Sequence, residues 1–172
     1  MDSSFHSRFH STGKHYRYLI WHGFSEHAIL TKRCWHVRSK LSLKEVKRNL
    51  DQFVGEHDFS AFRASDCSAK TTVRKIYKID SWIHPVYPEM LIVDIWGDGF
   101  LKNMIRNIVG TSVDVASGKL DKNTITEAFT HLDRTKTGMC APAWALTLMQ
   151  VFYDKEEMNQ QIQNDLKVLV PC

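Results

Sequence analysis

VRKIYKIDSWIHPVYPEMLIVDIWGDGFLKNMIRNIVG, residues 73–110, changes its hydrophobic period half-way along, and that change decides the fold. Up to Gly97 the residues alternate and are β-branched or aromatic, broken by Pro85 and Pro88. That pattern predicts two antiparallel strands joined by a turn. Gly97 and Gly99 then bracket Asp98 and end the second strand. From Phe100 the apolar positions fall at Leu101, Met104, Ile105, Ile108 and Val109, the stripe of a helix running to about Ala116 and stopping near Gly118.

The flanks repeat both patterns. HYRYLIWHG, residues 15–23, predicts a strand ended by Gly23, and a short second strand is expected around CWHV. LSLKEVKRNLDQFVG is helical, with Leu43, Val46, Leu50, Phe53 and Val54 as its apolar positions. Ser42 with Glu45 forms a capping box, and Leu41 with Val46 a hydrophobic staple. HDFSAFRASDCSAKTT has no sustained period and is expected to be a surface loop. A second helix capped by Asp121 follows the first, and WALTLMQVFYD predicts a last strand. The domain is therefore expected to be α+β over residues 1–154, a mostly antiparallel mixed sheet with helices packed on one side. Residues 155–172 form a polar C-terminal tail that has no assignment.

A chain of 172 residues with 43% hydrophobic and 24% charged residues holds one ordinary domain. No run approaches the ~20 apolar residues of a membrane span, and the N-terminus lacks the apolar centre of a secretory signal. Four scattered cysteines without CxxC fit a reducing, cytoplasmic setting. Seven of the nine histidines lie in the first 57 residues without HExxH spacing, so no metal site is written there. The net charge of +4 is uneven. Residues 1–50 hold ten Lys and Arg against three Asp and Glu. Residues 63–80 add Arg63, Lys70, Arg74, Lys75 and Lys78. Clustered charge of this kind suits a polyanion, although taken alone a basic face is more often just a solvated surface.

Two features admit two readings each. Arg106 lies at the edge of its helix stripe, either snorkelling to water or aiming its fork at a carboxylate or phosphate in a partly buried cleft. Tyr16 and Tyr18 share one face of their strand, with His15 and Arg17 on the other. The pair either packs in the core or offers a ring to an RNA base.

Four blocks in order, FHSRFHSTGKHYRYLI, VGEHDFSAFRASDCSAKTTVRKIY, GDGFLKNMIRNIVGTSVDVASGK and LDRTKTGMCAPAWALTLMQVFY, resemble the second half of TruA-type tRNA pseudouridine synthases. The resemblance covers about Ser4 to Tyr153. It implies isomerisation of uridine to pseudouridine in the anticodon arm of tRNA, with no cofactor and no metal, by a cytoplasmic homodimer. By the same resemblance Tyr16 stacks on the target uracil, Arg106 pairs with the nucleophilic aspartate and Leu146 walls the pocket. Arg8, Arg17, Arg63, Lys70 and Arg74 become RNA-binding positions. Ala145 stands where the family commonly has glycine. The family's Arg-Thr-Asp tripeptide lies upstream of FHSRF, and DRTKTG at 133–138 carries Lys136 where the acid would be. The expectation is thus a substrate-pocket half that is inactive alone and requires an N-terminal lobe. The alternative is a non-catalytic RNA-binding or dimerisation module of the same descent.

Overall fold

A computed structural model describes residues 5–7 and 10–163. The elements are β1 (Gly13–His22), β2 (Trp35–Val37), α1 (Leu43–Asp51), β3 (Gly55–Asp58), β4 (Val73–Ile83) and β5 (Met90–Gly97). They continue with α2 (Met104–Ala116), α3 (Thr124–His131), β6 (Leu146–Phe152) and α4 (Lys155–Gln163). The expected α+β class is the one observed. The sheet runs β2-β1-β5-β4-β3, with β6 joining β2 along the same edge of β1. Among the described strands only the β1–β2 pair is parallel.

The hairpin of the opening stretch forms β4 and β5, with Asp80 facing Asp94 and Trp82 facing Ile92. Its turn is closed by His84, whose Nδ1 accepts from the backbone N–H groups of Val86 and Tyr87, each at 3.2 Å. Period-2 alternation sorts the side chains. Tyr18, Ile20, Leu91, Val93 and Ile95 face α1–α3 and build the main core with Val46, Leu50, Ile105, Ile108 and Ile125. Ser42 caps α1 by accepting from the Glu45 N–H at 3.4 Å, and Leu41 and Val46 are both buried beside it.

Three expectations change. The HDFSAFR segment is not all surface loop. Gly55–Asp58 pairs with β4, and Phe59, Ala61 and Phe62 are fully buried. Asp58 Oδ1 accepts from the Ser60 N–H at 2.9 Å and from its hydroxyl at 2.6 Å, a turn that sends both phenylalanines inward. Residues 63–72 do remain irregular. The second change concerns residues 155–163, which are a helix rather than a tail. Asp154 Oδ1 caps it from the Glu156 N–H at 2.8 Å, and Lys78 Nζ donates to the Ile162 carbonyl at 3.0 Å in its last turn. Third, α4 packs Met158 against Trp96 and Phe152 on the face away from α1–α3, so the helices are not all on one side. Residues 164–172 of the expected tail lie outside the described residues.

Gly110 sets how closely α2 meets the segment before β6. A Cβ there would stand 1.9 Å from the Met139 carbonyl oxygen and 3.2 Å from the Ala141 nitrogen. Gly110→Ala is therefore expected to force that segment away and to cost about 1–3 kcal/mol, seen as a lower urea midpoint with an unchanged slope.

Candidate active site

The turn after β5, the start of α2 and the junction of β1 with β6 enclose a cleft of about 350 Å³. Tyr16, Arg106 and Leu146 all line it, together with Phe100, Lys102 and Asn103. Tyr16 reaches it because β1 turns its even-numbered residues to this face. Leu146 faces Tyr18 across the β1–β6 ladder, which sets it diagonally next to Tyr16 on the same side. The Tyr16 ring meets Phe100 edge-on, with centroids 5.4 Å apart. Burial pushes the Tyr16 hydroxyl up in pKa, so the ring is neutral at physiological pH. Burial does the same to Tyr18, partly offset by the charge of Arg106. Tyr18 belongs to the core and donates to the Pro142 carbonyl at 2.7 Å.

Arg106 sits half-buried in the first turn of α2. Its Nε donates to the Ala141 carbonyl at 2.6 Å and its Nη1 to Asn103 Oδ1 at 2.8 Å. The Ala141 N–H returns a bond to the Arg106 carbonyl at 3.1 Å, locking helix and strap together. Asn103 holds the left-handed conformation, φ 63°, immediately before the helix. Two of five guanidinium donors are thus engaged, and among the described residues no carboxylate lies within ion-pair distance. The head is therefore not wholly free in water: two bonds hold it from one side, and the residue lines the cleft.

The basic loop adjoins the cleft. Its Ala64 N–H donates to the carbonyl of Lys102, a lining residue whose Nζ meets Asp66 at 2.5 Å. A Cβ on Gly99 would lie 3.7 Å from Arg74 Nε, one residue before Phe100. Arg63 and Arg74 both lower the pKa of Cys67, after the larger effect of its hydrogen bond with the Ala69 backbone. Lys70 is exposed on the same loop.

Arg17 requires correction. It is 2% exposed and lies on the sheet face opposite Tyr16. Its Nε and Nη2 donate to the two oxygens of Asp94 at 2.8 and 2.9 Å, and its guanidinium lies over Trp82. A side chain so enclosed does not reach a phosphate. Arg8 lies outside the described residues. Phe100, Lys102 and Asn103 had not been singled out in the sequence. The one signal that could have marked Asn103 is its residue type, since asparagine is favoured at a helix start. No three His, Cys, Asp or Glu residues converge to hold a metal among the described residues, and no described helix is long and apolar enough to cross a membrane.

Residues 50–154 match the family model for tRNA pseudouridine synthases, a stretch that contains Arg106, Leu146, the basic loop and six of the ten elements. The chain belongs to the tRNA pseudouridine synthase family. It is 41% identical over 150 residues to tRNA pseudouridine synthase A of Geotalea daltonii, covering 87% of this chain and 60% of that protein. The corresponding protein of Ruminiclostridium cellulolyticum is 41% identical over 149 residues, with 87% and 60% covered. That of Acetivibrio thermocellus is 42% identical over 155 residues, with 89% and 62% covered. The chain thus spans about 60% of the length of these pseudouridine synthases.

Proposed function

We propose that this chain is the uracil-pocket half of an enzyme that isomerises uridine to pseudouridine in the anticodon arm of tRNA, acting in the cytoplasm as a homodimer without a cofactor. The observation that carries the reading is the convergence of Tyr16, Arg106 and Leu146 on one cleft. The reaction breaks the bond from N1 to C1′, turns the detached base and joins C5 to C1′. The C5 proton leaves to solvent while N1 gains one. No electron is exchanged, so positioned side chains are enough. A flipped uracil lies on the Tyr16 ring with Leu146 against its edge. Arg106 pairs with the nucleophilic aspartate, keeping it ionised by opposite charge. Such a fork–fork pair needs the guanidinium preset, as the bonds to Ala141 and Asn103 preset it. Arg63, Lys70 and Arg74 take phosphates beside the flipped nucleotide.

Filter-binding of tRNA to the 172-residue chain at two salt concentrations tests this. Three phosphate contacts are expected to weaken binding on the order of 40-fold between 50 and 200 mM salt. Absence of salt-sensitive tRNA binding would leave a dimerisation module instead.

A further inference from the structure

At the far end of β1 a second cavity, of about 770 Å³, is lined by Trp21, His22, Phe24, Arg38, Lys40 and Glu89. Its parts point to a ligand. Phe24 is 94% exposed, a bare ring that no core position requires. His22 is 6% exposed, and its Nδ1 accepts from the Leu41 N–H at 3.3 Å. That bond leaves the ring proton on Nε2, and Nε2 is buried with no hydrogen-bond partner among the described residues. A buried N–H without an acceptor is costly unless something arrives to take it. Burial lowers the His22 pKa, and Lys40 adds to that against Glu89, so the donor is a neutral imidazole. Arg38 and Lys40 are exposed beside it.

Arg38 also lines a neighbouring cavity of about 430 Å³, together with Lys119 and Met139. Met139 is two residues from Ala141, whose carbonyl fixes Arg106. Cationic side chains therefore mark a path from Arg106 over Lys119 and Arg38 to Lys40. From Tyr16 to His22 is six residues of strand, about 20 Å, or roughly six nucleotides of stacked single strand.

We propose that RNA leaving the Tyr16–Arg106 cleft follows this path and lodges one unstacked nucleotide in the Trp21–His22–Phe24 cavity. The base lies on Phe24, its phosphate takes the Nε2–H of His22 and the charges of Arg38 and Lys40, and Glu89 accepts from a base N–H. The proposal rests on the function proposed above, and its test separates the two. tRNA substituted with 5-iodouridine is irradiated with the chain and the adducts are mapped by mass spectrometry. Adducts are expected on Tyr16 or Phe100 and also on Trp21 or Phe24. In R38A/K40A the second set should fall on the order of tenfold while the first is unchanged. Adducts confined to Tyr16 and Phe100, or a second set that survives R38A/K40A, would overturn the path and leave the uracil cleft standing. A second set without the first supports the far cavity and removes the uracil reading. Adducts at neither place overturn both.

Discussion

Arg106→Ala, made in a protein that joins this chain to a segment carrying the Arg-Thr-Asp motif, is expected to lower pseudouridine formation by about 10²- to 10⁴-fold. Removing one partner of a partly buried ion pair costs about 3–5 kcal/mol, and each 1.36 kcal/mol is tenfold in rate. The loss should have a pH signature. Without the guanidinium the carboxyl pKa rises, so at a given pH less of it is ionised, and the acid limb of the rate profile moves to higher pH. Arg106→Lys should recover only part of the rate. A lysine keeps the charge, but it lacks the planar fork that now bonds Ala141 and Asn103 while facing the cleft. An unshifted acid limb in Arg106→Ala would mean that the arginine acts on something other than a carboxylate.

The largest effect on stability is expected at Asp94. Its oxygens accept from His15 Nε2 at 2.8 Å, Arg17 Nε at 2.8 Å, Arg17 Nη2 at 2.9 Å and Trp82 Nε1 at 3.1 Å, all buried. His15 is also stacked on Trp96, centroids 4.2 Å apart. Asp94→Ala removes the carboxylate that a buried guanidinium, a histidine and an indole all face. The cost should be about 3–5 kcal/mol, or a melting temperature lower by roughly 10 °C or more. Burial pushes the Asp94 carboxyl up, but the hydrogen bonds from His15 and Arg17 outweigh it and its folded pKa is below the ordinary value. The unfolded chain therefore binds the proton first. This stability is present above about pH 4 and is lost as pH falls through the folded pKa. Asp94→Ala should flatten that acid side of the stability profile, as followed by thermal melts between pH 2 and 7. Since His15 and Arg17 flank Tyr16 in β1, the same network anchors the strand from behind the Tyr16–Arg106 cleft.

What could be read from the chain beforehand follows the range of the interactions involved. The β4–β5 hairpin and α1 with its Ser42 cap stand where local periodicity places them, and α2 does so only from Met104 on, because Phe100 to Asn103, expected as its first turn, form the non-helical turn that lines the cleft. β3 is not written this way, because Gly55–Asp58 contains no apolar residue and exists by pairing with β4. α4 was hidden because only Met158 is fully committed to the core within a polar helix. Arg17 was misread for want of its partner: Asp94 lies 77 residues away, and only the β1–β5 register brings them opposite. Arg106 falls between these cases. Its place beside the stripe is local information. Its fixed fork depends on Ala141, 35 residues on, and on the unusual backbone of Asn103.

Release of tritium from tRNA labelled at C5 of uridine tests the central claim most directly, since the C5 hydrogen must leave for the base to rejoin through carbon. Among the described residues no carboxylate accompanies Arg106, so the 172-residue chain alone should release none above background. Joined to a segment carrying the Arg-Thr-Asp motif it should release tritium, and Arg106→Ala should abolish nearly all of it. Release by the chain alone, or full release by the joined protein carrying Arg106→Ala, would contradict the assignment of this cleft as the uracil pocket that holds its aspartate through Arg106.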